Sequence, residues 1–147
     1  MVTLRRMEEL DGIAAADAHL GRPIPLPGTP LPLVRWSQVF SVSPDGVEIA
    51  WNLDDSRAGA PGRLALYVGF GPPPHRAWPG DGPPRQVAVG DVTGTWREAE
   101  LVEAQPSLRP AVELSWHAHG LHLRLTAQGP WEAGQLVQIA TSVVPAA

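Results

Sequence analysis

The stretch ELSWHAHGLHLRLTAQG, residues 113–129, decides how this chain folds. It alternates apolar and polar residues on both sides of His119-Gly120 and packs three of the chain's five histidines into six positions. His119 and Gly120 fit the two central positions of a tight hairpin turn. Both positions need positive φ, which glycine accepts freely and histidine tolerates better than most. The register then follows: Ala118 opposite Leu121, His117 opposite His122, Trp116 opposite Leu123, Ser115 opposite Arg124, Leu114 opposite Leu125 and Val112 opposite Ala127. Every apolar pair lands on one face, an agreement that a slip of one residue would destroy. The predicted core positions are Val112, Leu114, Trp116, Leu121, Leu123 and Leu125, with Glu113, Ser115, His117, His122, Arg124 and Thr126 outside.

This register puts two imidazoles side by side. Opposed histidines on adjacent strands are close enough to chelate one ion. A zinc site, however, takes three or four protein ligands, and the diagonal neighbours here are Ser115 and Arg124, the second a fixed cation. A solvated cross-strand pair is therefore the preferred reading of His117 and His122, with a metal site as the alternative.

Upstream of the hairpin the chain keeps the same period. Val34, Trp36, Phe40 and Val42 fall on one predicted strand face, and Val47, Ile49, Trp51 and Leu53 on the next after the turn signature SPDG. RLALYVGF offers Leu64, Leu66, Val68 and Phe70. QVAVGDVTGTWREAELVEA gives a weaker strand signal in which Gly90 and Gly94 suggest bulges or sharp bends. RPIPLPGTPLP has a proline at nearly every second position and reads as an extended strap without regular pairing. Residues 3–19 read as a short amphipathic helix with Leu4, Met7, Leu10, Ala14 and Ala18 near one face. PWEAGQLVQIATSVV carries Leu136, Ile139, Ala140 and Val143 at helical spacing behind Pro130 and reads as a closing helix.

The expected fold is α+β: one domain spanning 1–147, a curved antiparallel sheet of about six strands, its apolar face covered by the C-terminal helix and the N-terminal one. An exposed Pro/Gly-rich loop interrupts it at residues 71–85. Pro72, Pro73 and Pro74 favour polyproline II, a preformed ligand shape, and His75 and Trp78 follow as polar and aromatic anchors. These five residues are candidate partner-binding positions, weighed against an inert connection. Asp54-Asp55 and the run Asp17 to His19 offer carboxylates and an imidazole, but in these contexts turn or capping roles are the simpler reading.

Composition excludes several chemistries. All 11 basic residues are arginines, so Schiff-base, phosphate-loop and kinase-type lysines have no counterpart. With Cys at 0 there are no thiol nucleophiles, cysteine zinc sites or disulfides. A net charge of -4 with scattered arginines gives no stripe for nucleic acid. No run approaches the ~20 apolar residues of a spanning helix, so membrane insertion is not expected. The first 21 residues lack the apolar run of a signal peptide. As written the chain reads as cytoplasmic, or as extracytoplasmic if it is a trimmed piece of an exported protein. No catalytic residue set and no cofactor motif is present: neither G-x-S-x-G, nor H-E-x-x-H, nor a dinucleotide fingerprint occurs.

The order of elements adds a resemblance. A segment ending in LGRPIPLPGTPLP, a meander, LSWHAHGLHLRL and a closing QLVQIATSV resemble a bacterial domain of uncharacterised function from the extracytoplasmic part of anti-sigma-factor-like membrane proteins and lipoproteins. Leu114, Trp116, Gly120, Leu123, Leu125, Ile139, Ala140 and Ser142 carry it, mostly over the last 35 or so residues, as fold positions. The family's lipid-attachment cysteine and membrane helix have no counterpart here. The leading reading is a non-catalytic sensing or binding module that uses the concave side of the sheet or the proline-rich loop; the resemblance implies a bacterial origin, which the Ala-, Gly-, Pro- and Arg-rich usage also suggests. Two alternatives are a metal-assisted hydrolase using His117 and His122, and a structural subunit of a homo-oligomer.

Overall fold

The computed structural model describes residues 8–29, 31, 36–52, 63–73, 83–99, 111–128 and 132–144. Along the chain these form β1 (Glu8–Leu10), α1 (Ile13–Leu20), β2 (Leu26–Pro27), β3 (Trp36–Ser43), β4 (Gly46–Asn52), β5 (Arg63–Gly69), β6 (Arg85–Val89), β7 (Val92–Ala99), β8 (Ala111–Ala118), β9 (Leu121–Gln128), α2 (Ala133–Thr141) and β10 (Val143–Val144). The class is α+β, but the main sheet has eight strands where the sequence suggested about six, in the order β1-β3-β4-β5-β9-β8-β7-β6. The two extra strands lie at its ends. β1 is only three residues long, and β6 comes from the weakly patterned run around Gly90.

The β8–β9 hairpin has the expected register at every pair, from Val112 opposite Ala127 to Ala118 opposite Leu121. His119 and Gly120 have φ of 57° and 73°, the positive values the turn demands. Leu114, Trp116, Leu121, Leu123 and Leu125 are buried in the core, and Val112 packs against it.

Several expectations are corrected. Residues 8–10 pair with β3 as an edge strand, and Gly12, at φ 91°, separates them from the helix. That break resets the helical phase. α1 buries Ala16 and Leu20, while Ala14 and Ala18 are exposed. The strap does pair: Leu26 and Pro27 meet Val144 and Val143, and the Gly28 amide donates to the Ser142 carbonyl at 2.9 Å. Val143 thus belongs to this short ladder and not to α2. In β3 the core-facing residue is Val39, opposite Ile49, whereas Phe40 lies opposite Glu48 on the other face. A register shift between Ser41 and Ser43 explains the inversion, since one extra residue at Val42 reverses the side-chain parity of the strand. Phe70 lies one residue beyond β5 and is 47% exposed. Gly90 occupies the β6–β7 turn at φ 58°, and Gly94 sits within the ladder opposite Val87.

The central strands are buried on both faces. One face carries the apolar core with Ala16, Leu20, Leu136, Ile139 and Ala140 from the two helices. The opposite face holds Ala50, Ala65, Tyr67, Glu48, Arg124 and Thr126, all buried. Arg124 and Thr126 are therefore off the apolar face, as the alternation requires, but they are not solvated.

The strand order also explains the Pro/Gly-rich segment. β5 is central, β6 is the far edge, and four antiparallel steps make the two parallel. The connection between Gly69 and Arg85 must cross four strand spacings, roughly 19 Å, and travel the length of a strand besides. No tight turn can do that.

Candidate functional site

A cleft opens on the helix side of the sheet, between α1, the strap and the β3–β4 hairpin. Its volume is about 390 Å³ and its walls are Ile13, Leu26, Pro27, Gly28, Thr29, Leu31, Ser37, Ile49 and Trp51. Each wall has a local cause. Ile13 is the first residue of α1, just after the Gly12 break. Leu26 and Pro27 are held in place by β10. Ser37 and Trp51 are cross-strand partners, and Ile49 follows on the same face. Among the described residues none of the lining side chains is charged; the hydroxyls of Thr29 and Ser37 are the polar groups there. The volume lies in the range of small-molecule sites, roughly 300–1,000 Å³. Sequence reading placed Trp51 and Ile49 on the core face but missed the cleft. The period of β3 and β4 does not show that the strap lies beside them.

A second cluster gathers at one end of the sheet. The β3–β4 turn, the end of β5, the β8–β9 turn and the end of α1 meet there, bringing His19, His117, His119 and His122 together with Asp45 and Arg22. The Nε2 of His19 lies 2.8 Å from the Ser43 carbonyl, and Arg22 donates to the His119 carbonyl at 3.2 Å. Asp17 does not cap α1, whose caps are Gly12 and Gly21; its carboxylate instead accepts the Ile24 amide at 2.9 Å and ties the strap to the helix.

Within this cluster Tyr67 lies over Gly46 and Gly69, which are paired across β4 and β5. A Cβ at Gly46 would be 2.6 Å from the phenol oxygen, and one at Gly69 would meet the same atom. The phenol donates to the Gly71 carbonyl at 2.7 Å and so anchors the root of the Pro/Gly-rich segment. Burial, and then the Asp45 carboxylate, push its pKa up, against a hydrogen bond from Ser43 and the charge of Arg124. Arg124 extends across this ring, its guanidinium carbon 5.8 Å from the centroid, to Glu48 two strands away at 3.7 Å. The two paired side chains are 8% and 11% exposed, so this is a buried ion pair. Sequence reading took Glu48 and Arg124 for surface charges and did not single out Tyr67, although it is the chain's single tyrosine.

His117 and His122 stand opposite each other with ring centroids 3.7 Å apart and planes at 65°. His117 is exposed and His122 half-buried. Burial, and then the neighbouring His117, push the His122 pKa down, while Asp45 pulls it up. Among the described residues no group of three or more metal-ligating side chains forms. Of the loop candidates, Pro72 is exposed and Pro73 half-buried beside the anchored Gly71. Pro74, His75 and Trp78 lie outside the described residues, as do Asp54, Asp55 and Pro130. No helix among the described residues is long and apolar enough to cross a membrane.

Fold and cleft together define an α+β architecture with an open cavity, lined among the described residues by uncharged side chains, beside a two-sided buried sheet. Compared with protein-family models, the curated proteins and the solved structures, the chain matches none.

Proposed function

We propose that this chain is a non-catalytic binding or sensing module whose ligand is a small, uncharged, mainly apolar molecule held in the cleft between α1, the strap and the β3–β4 hairpin. The observation that carries the reading is the lining: among the described residues, apolar walls with two hydroxyls and no charged side chain around about 390 Å³. A charged ligand would lose its hydration there without gaining a partner, whereas an apolar one gains roughly 25 cal/mol per Å² buried. Thr29 and Ser37 supply orientation through one or two hydrogen bonds. The resemblance carried by Trp116, Gly120 and the Ile139–Ser142 run to extracytoplasmic domains of anti-sigma-factor-like proteins supports a sensing role. The partner-facing reading of Pro72, Pro73, Pro74, His75 and Trp78 is compatible with it as a second contact surface.

The test is titration with an uncharged naphthylamine dye that fluoresces in apolar surroundings. The wild-type protein is expected to bind it saturably. Ser37→Trp, which fills the cleft from an exposed strand position, is expected to abolish binding, while His117→Ala leaves it unchanged. Absence of saturable binding, or equal binding by Ser37→Trp, overturns the proposal.

A further inference from the structure

The objection to a metal at the histidine pair was the cation on its diagonal, and the geometry removes it. Arg124 is turned away from β8 toward β4, lying over Tyr67 and ending 3.7 Å from Glu48, so its charge is compensated on the far side of β5. The side chain that its place in the sequence sets beside His117 and His122 is directed elsewhere.

The pair itself is built for proximity. In a two-residue hairpin the residues flanking the turn, Ala118 and Leu121, form the hydrogen-bonded closing pair. The next pair out, His117 with His122, is then of the non-hydrogen-bonded kind, whose side chains approach most closely. The rings meet edge to face at 3.7 Å, nearer than two imidazoles on one ion would sit. The Cβ–Cγ bond passes close to each ring centroid, so opening the rings to a chelating distance takes a change of χ1 as well as rotation about χ2. Asp45, whose carbonyl accepts the Phe70 amide, stands at the same end of the sheet as His122, which pairs with Gly69.

We infer that His117 and His122 form a cross-strand, two-imidazole site for a divalent transition-metal ion, its remaining coordination positions filled by water. The order of preference follows imidazole affinity along the first-row series, copper above nickel and zinc. With two protein ligands in place of the three or four of a dedicated zinc centre, the site binds reversibly and exchanges with solution. Bound metal clips the two strands of the β8–β9 hairpin together beside its turn, a linkage that raises the stability of the folded state with metal concentration. The site is separate from the cleft and stands or falls independently of it.

The experiment is calorimetric titration of the chelator-treated full chain with copper(II), nickel(II) and zinc(II) salts, with electron paramagnetic resonance of the copper form. One ion per chain is expected, with two equatorial nitrogens on copper and a higher melting temperature in its presence. His117→Ala and His122→Ala should each weaken binding by at least about tenfold. His19→Ala and His119→Ala, at the same end of the molecule, should not. Because His122 is half-buried, His117→Gln, at the exposed partner, repeats the test where folding is not at issue. Binding weaker than about 1 mM, or binding that survives both His117 variants, overturns the inference.

Discussion

Tyr67 shows how much a single side chain organises here. Its ring needs two glycines beneath it, its hydroxyl ties Gly71 in place, and its outer face carries the Arg124 guanidinium on its way to Glu48. A buried pair of this kind is weak evidence for net stability, because desolvating two charges costs several kcal/mol each. Its consequence is specificity: only one register of β4, β5 and β9 brings Glu48, Tyr67 and Arg124 into one row. As the chain's single tyrosine, Tyr67 can be titrated alone by tyrosinate absorbance. The midpoint is expected above the ordinary value of 10.0 and to fall in Asp45→Asn, which removes the second largest cause of the shift. The raised value also fixes the sign of the stability change. The contribution is fully present below pH 10.0 and lost as pH rises through the folded-state value, because the unfolded chain gives up its proton first. An unraised midpoint in the native protein would contradict the packing described for this ring.

At the scale of elements, the hairpin of β8 and β9 was legible because turn chemistry and apolar alternation pointed to the same register. Trp116→Ala tests it. With Trp116 4% exposed in the core, the loss in chemical denaturation should be roughly 3–5 kcal/mol. A loss below about 1 kcal/mol would place the residue on the surface and break the register. The neighbouring hairpin was misread because periodicity assumes an uninterrupted ladder. The irregularity at Val42 shifts the phase of β3, so Phe40 meets Glu48 and Val39 meets the core. In α1 the error has the same form. The pattern was extended through Gly12, where the backbone turns, and the buried face came out as Ala16 and Leu20. A bulge or a kink moves every side chain beyond it, and neither leaves a mark in hydrophobicity alone.

For the whole molecule, two meanders meet at β5 and β9, and the Pro/Gly-rich segment is the crossover that this order demands. The two outer edges are guarded. β1 is three residues long and presents Glu8 and Glu9; β6 is five residues long, begins with Arg85 and follows Pro83-Pro84. Short strands, charges and prolines are the devices that oppose edge-to-edge pairing. The expected outcome is a sedimentation coefficient independent of concentration. A concentration-dependent shift abolished by Val87→Lys would instead favour the homo-oligomeric reading, with β6 pairing to a second copy.

The sequence by itself determined the fold class, the hairpin register, the face buried by β4, β5, β8 and β9, and the closing helix, because each depends on residues near one another in the chain. The cleft, the buried row of Glu48, Tyr67 and Arg124, and the arrival of His19, Arg22 and Asp45 beside the histidine hairpin were decided by tertiary structure alone. They join residues from β2, β3, β4, β5, β8, β9 and α1, and the order in which strands lie side by side is not written in the period of any one of them. Arg124 makes the point within one side chain: its alternation correctly put it off the apolar face, but only the neighbouring strands made that second face a buried one.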